Sequence, residues 1–121
     1  MLDGRYRHFE ISALSFREMK DGLMKASRAG YSTVGILTHP GEFFRHGKRG
    51  DVPVSKNCRR LEQLLRFITS RPEFRACTIS ECAANAQFPK QSPPEIKLSL
   101  ACSLMRVLEQ GADRLRAKAG W

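Results

Sequence analysis

The sequence predicts an α/β fold, a partial (β/α) barrel of about three parallel strands in the order β-α-β-α-β-α-α. Three observations carry that prediction. The stretch YSTVGILTH is apolar and β-branched without alternation, which suits a strand covered on both faces in a parallel sheet. It follows a short alternating segment and a segment with helical spacing, so strand, helix and strand stand in the order of a right-handed βαβ unit. A further helical segment and another brief apolar run then repeat the order.

Each element has its own local reason. Phe9, Ile11 and Ala13 alternate with His8, Glu10 and Ser12, which predicts the first strand. Ser15 and Glu18 stand at capping-box spacing, Phe16, Met19, Leu23 and Ala26 fall on one helical face, and Gly30 suits the position after the helix end. A helix over 15–29 follows. The second strand runs up to His39. The loop over 40–56, with Gly41, Gly47, Gly50 and Pro53, exceeds the usual length of a structureless connection and reads as functional or mobile. Asn57 as N-cap opens the next helix, with Cys58, Leu61, Leu64, Leu65 and Ile68 on one face and Pro72 as its stop. Phe74 to Cys77 reads as the third strand, and Thr78 with Glu81 as a second capping box before a short helix. The last helix, over 92–118, opens with Ser92, Pro93 and Glu95 and carries a stripe of Ile96, Leu100, Leu104, Val107, Leu108 and Leu115, weakened at Gly111. A sheet of three strands leaves both edges open unless something covers them.

The 121 residues make a single domain, with 41% hydrophobic and 27% charged content. No apolar run reaches the roughly 20 residues that span a bilayer, and the opening residues show no export pattern, so a cytoplasmic location without membrane contact is expected. Twenty-one Lys and Arg against 12 Asp and Glu give a net charge of +9, which favours polyanion contact. The sequence contains no base-reading motif, so a specific nucleic-acid partner is not expected. The four cysteines, Cys58, Cys77, Cys82 and Cys102, lack metal-ligand spacing and read as reduced thiols; no metal ligand is assigned in the chain.

The blocks HFEISALSFREMKDGLMKASRAGYSTVGILTHPGEFF, KNCRRLEQLLRFI and FRACTISECA together resemble the C-terminal half of the NodB-type polysaccharide deacetylases, metal-dependent amide hydrolases on a distorted (β/α) barrel. The resemblance covers residues 8–84. It implies that His39, at the end of ILTH, is the general acid toward the leaving amine, that the substrate is an N-acetylated carbohydrate, and that a divalent metal such as zinc belongs to the half this chain lacks. The family's aspartate pair, H-x3-H metal pair and arginine-aromatic motif have no counterpart: Asp3 stands alone, and His8, His39 and His46 do not have that spacing. The expectation is a truncated or split copy, inactive alone, which a partner chain supplying the other half would complete.

The residues themselves leave His39 open between a catalytic acid and a histidine that closes a strand with a structural bond. An imidazole titrates near neutrality and suits proton transfer. Glu42 and His46 are the candidate substrate-binding residues at the same mouth, set against simple solvated loop positions. Phe43 and Phe44 read as a loop anchor before a sugar-stacking platform. Arg45, Lys48, Arg49, Lys56, Arg59 and Arg60 read as a solvated basic face or an anion contact. Two functions of other classes compete: a small basic polyanion-binding module, and a structural protein whose C-terminal helix associates with a second copy of itself.

Overall fold

The structure, a computed structural model, describes residues 8–47, 50–85 and 95–118. Its first element is the helix α1, Phe16–Arg28. Ser15 caps it: the Glu18 amide donates to Ser15 Oγ at 3.3 Å, and the Glu18 carboxylate accepts from the Ser15 amide at 2.9 Å and from Ser15 Oγ at 3.0 Å. This is the capping box expected from the sequence, and it satisfies two amides the helix cannot pair internally. The helix ends at Ala29, and Gly30 turns the chain away at φ 77°. Met19, Gly22, Leu23 and Ala26 form the buried face. Gly22 belongs there because a Cβ at that position would meet Phe9 Cε2 at 2.8 Å.

The core lies between α1 and the helix α2, Ser55–Thr69. Ile11, Leu14, Met19, Leu23, Leu64 and Phe67 are buried together. Phe67 meets Phe16 edge-on at 6.3 Å and Phe74 at 5.7 Å, with the Lys20 and Arg71 cations each 5.5 Å from its ring centre. The buried face of α2 is rotated from the expected one. Arg60, Leu64 and Phe67 point inward, while Cys58 and Leu65 are exposed. The helix also starts earlier, at Ser55, so Asn57 is not its cap; Asn57 Nδ2 donates to the Glu42 carbonyl at 2.6 Å.

The expected parallel sheet is not formed. The described residues hold four helices and one two-stranded antiparallel hairpin, β1 Phe44–Gly47 with β2 Gly50–Pro53, so the partial (β/α) barrel of about three parallel strands is wrong. The first alternating segment is a turn: the Leu14 amide donates to the Glu10 carbonyl at 3.1 Å, which sends both Ile11 and Leu14 inward. In the second, Val34 and Ile36 pack on the core while Thr33, Gly35 and Leu37 are exposed, so one face has no cover. A parallel strand is stable when both faces are covered. What remains is one parallel bridge, Glu10 to Leu37, with the Leu37 amide donating to the Phe9 carbonyl at 2.9 Å. Phe74 packs on Phe67, but Arg75, Ala76 and Cys77 are exposed and form no ladder. The long loop read as functional or mobile carries its own order, a 3-10 turn at Pro40–Glu42 and the hairpin.

The short helix α3, Ile79–Asn85, has its own box, with the Glu81 amide donating to Thr78 Oγ1 at 3.2 Å and the Thr78 amide to the Glu81 carboxylate at 2.7 Å. The helix α4, Leu100–Lys118, begins later than expected; Ser92 and Pro93, read as its cap and first turn, lie outside the described residues. Residues 95–99 are instead tied to α1. Asp21 accepts from the Ser99 amide at 2.9 Å and from Lys25 Nζ at 2.8 Å, and Lys25 also donates to the Lys97 carbonyl at 2.8 Å. Polar groups dock α4 itself. Arg106 Nε donates to the Glu18 carboxylate at 3.0 Å, both side chains being buried. Arg60 donates to the Ile11 and Ser12 carbonyls at 3.1 and 3.3 Å and to Glu109 at 3.1 Å. Among the described residues no helix is long and apolar enough to cross a membrane.

Removing one partner of a buried ion pair leaves an uncompensated charge and costs about 3–5 kcal/mol. Arg106→Ala should lose that much in urea denaturation, and Glu18→Gln combined with Arg106→Met should recover most of it, since glutamine keeps the box. Asp21 sits below its ordinary 3.8: partial burial pushes it up, but the Lys25 and Ser99 hydrogen bonds and the Lys25 and Arg28 charges outweigh that. Its stabilising share is therefore present above the unfolded pKa, about 3.9, and is lost as pH falls through the lower folded value. Hydrogen exchange at the Ser99 amide should accelerate in that acid window, and Asp21→Asn should remove the acid dependence.

Candidate functional site

The parallel bridge carries Leu37 past Glu10, and the chain then turns sharply. His39 is extended, at φ −127° and ψ 140°, and starts the 3-10 turn, with Pro40 setting its first residue. The Glu42 and Phe43 amides close the turn onto the His39 and Pro40 carbonyls at 2.9 and 3.0 Å. The turn is fastened from two sides. Asn57 holds the Glu42 carbonyl, and the Val54 amide donates to the Phe43 carbonyl at 2.7 Å. Phe43 packs against the core, whereas Phe44 is exposed on the hairpin.

The His39 ring is oriented by its own turn: Nδ1 accepts from the Gly41 amide at 3.1 Å. A nitrogen that accepts carries no proton, so this hydrogen bond assigns the neutral tautomer with the proton on Nε2. His39 is exposed. In this pose the ring presents a hydrogen-bond donor at Nε2.

A pair of carboxyls lies beside this turn. Glu42 Oε2 is 3.5 Å from Thr38 Oγ1, and its carboxyl also takes a hydrogen bond from the His39 amide. Glu10 lies opposite, close enough to hydrogen bond with Glu42, and accepts from Ser12 Oγ at 2.7 Å. The two carboxyls are driven apart. Burial, the hydrogen bond with Glu10 and the Glu10 charge push Glu42 above the usual carboxylate range, against the pull of His39 and Thr38. The Ser12 and Glu42 hydrogen bonds hold Glu10 below that range.

The structure thus brings His39 and Glu42 together with Glu10, Ser12 and Thr38, which the sequence does not single out as site residues. Only the bridge between distant segments reveals Glu10, and no local spacing signals it. His46 is engaged elsewhere: its Nδ1 lies 2.6 Å from Asp51 Oδ1 across the hairpin, with both side chains exposed. Arg60 of the basic run is buried, and Lys48 and Arg49 lie outside the described residues, as does Asp3. All four cysteines are free, with Cys82 Sγ 3.3 Å from Thr33 Oγ1. Among the described residues no group of three or more His, Cys, Asp or Glu side chains is placed to hold a metal ion. Comparison of the chain with family models, curated proteins and solved structures gives no match.

In a carbon-detected titration the Glu42 carboxyl should have its midpoint above 4.5 and Glu10 below it. The signs of the stability effects are opposite. Glu42 contributes below its unfolded pKa and loses that share as pH rises through its raised value. Glu10 contributes above its unfolded pKa and loses its share as pH falls. Glu42→Gln, neutral throughout, should therefore slow hydrogen exchange of the Leu37 amide at neutral pH relative to the parent chain.

Proposed function

We propose that the chain is a polysaccharide-deacetylase-like protein that contributes the donor and proton-exchange face of a carbohydrate amide hydrolase site. The observation that carries this reading is the turn at 38–42, where the exposed His39 imidazole, fixed by the Gly41 amide, stands beside Glu42, and the parallel bridge brings the Glu10 carboxyl up to Glu42. In this reading His39 Nε2–H donates to an oxygen of the N-acetyl sugar and orients it. Glu42 supplies the proton for the leaving amine nitrogen, and Glu10 takes up the proton released by the attacking water, so the pair ends with the same total charge. This reverses the role implied by the resemblance: His39 positions substrate, and the acid is Glu42.

One neutral N–H is a weak substitute for the array of donors that stabilises a tetrahedral intermediate in working hydrolases. The isolated chain should accordingly show no turnover of N-acetylated oligosaccharides, and the remaining groups would come from residues outside those described or from a partner chain. Binding is the decisive test. Titration of the isotope-labelled chain with an N-acetylated chito-oligosaccharide should shift the His39 and Gly41 amides, and His39→Ala should abolish the shift. The fully deacetylated oligosaccharide should bind less well. Shifts confined to arginine and lysine side chains, produced equally by heparin or polyphosphate and removed by salt, would replace this reading with the polyanion-binding module. No shift at Gly41 would refute the carbohydrate assignment.

A further inference from the structure

The helix α4 is docked with its amphipathic sense reversed. Its polar residues Arg106 and Glu109 are held by Glu18 and Arg60 on the body, and Arg106 is only 6% exposed. The opposite arc carries Leu100 at 69%, Leu104 at 56%, Val107 at 50%, Leu108 at 61% and Leu115 at 70% exposure. Helical periodicity places Ala101, Met105, Gly111 and Ala112 on the same arc, and between Leu100 and Ala112 that arc bears no charge. A surface helix normally turns such a stripe to the core. A contiguous apolar face of this kind marks an interaction site.

We infer that this face pairs with the same face of a second copy, antiparallel and about a two-fold axis at Leu108. A two-fold interface must be self-complementary, so that if one residue meets another, the reverse contact also forms. With Leu108 on the axis, Leu104 faces Ala112 of the other copy, Met105 faces Gly111, and Leu115 faces Ala101. In each of these pairs a large side chain meets a small one, and each contact occurs twice. Charge agrees with this choice of occupant. Two chains of +9 repel, but Arg106 and Glu109 are turned to the body and away from the seam, so they bring no like charges together at the contact. A strongly charged partner would find no counter-charge on the arc.

The paired length, from Ala101 to Leu115, is roughly 21 Å at about 1.5 Å per residue. One helix face of this length is smaller than the about 800 Å² per partner of a standard stable interface. The dimer should therefore be reversible and depend on protein concentration. This inference is independent of the reading at His39, since it uses none of the same residues.

Sedimentation velocity of the full chain from about 1 to 300 μM should show a monomer–dimer equilibrium, and Leu104→Lys with Leu108→Lys should shift it to monomer with an unchanged circular dichroism spectrum. The register is tested in a background with the four native cysteines changed to serine. Leu108→Cys should cross-link to itself under mild oxidation, Leu100→Cys should not, and a mixture of Ala101→Cys and Leu115→Cys chains should cross-link to one another. A monomer at every concentration would overturn the proposal, as would cross-linking at Leu100 in preference to Leu108. Monomers that instead bind neutral phospholipid vesicles through α4 would overturn it in favour of a lipid surface.

Discussion

The carboxylate of Glu18 is the point on which the structure turns. It is 1% exposed, and it accepts from the Ser15 amide, from the Ser15 hydroxyl and from Arg106. Those three bonds start α1, fix the chain entering it, and bring α4 to the body. A buried carboxylate is tolerated because every donor around it is supplied by a defined position. The gain is specificity more than net stability: a hydrophobic pair of the same volume could pack at least as favourably, but it would not select one helix face or one register.

Arg60 repeats the arrangement at the other end of the contact. Its guanidinium caps two carbonyls of the turn at Ile11 and Ser12 and reaches Glu109 on α4. A planar fork with five donors can join three segments in this way, and a lysine at this place could not. Together the two arginines account for the unusual division of labour in the molecule. The apolar core is confined to α1, α2 and the segments draped on them, while α4 is attached through charge and hydrogen bonding. The turn that holds His39 depends on the same frame, because Glu10 stands just before Ile11 and its carbonyl accepts from Leu14.

What is legible in the sequence is local. Both capping boxes, at Ser15 with Glu18 and at Thr78 with Glu81, are readable because their partners lie three residues apart and need no tertiary context. Gly30 at the end of α1 is readable for the same reason. The parallel strands mislead because a short apolar run looks alike whether it is covered on one face or two, and residues 33–38 are covered on one. The hairpin escapes notice because Gly47, Gly50 and Pro53 signal a turn as readily as disorder, and its strands bury nothing that would leave an alternating pattern. The Glu10–Glu42 pair cannot be read at all, since it exists only through the bridge at Leu37. The leucine stripe of α4 is visible, but its direction is not: Arg106 in mid-helix looks like a solvated residue, and its burial against Glu18 is what turns the leucines outward.

The ion pair that joins Glu18 to Arg106 spans 88 residues of chain. Its closure thus carries a larger entropy cost than the local bonds of the capping box, although that cost grows only slowly with separation. During synthesis, α1 and its cap leave the ribosome long before Arg106 does. Until then the Glu18 carboxylate has only its box partners and water, and the core between α1 and α2 has to assemble around an unneutralised charge. Arrival of the last helix neutralises that charge, so the bond to Arg106 is the last of the Glu18 contacts that the growing chain can make.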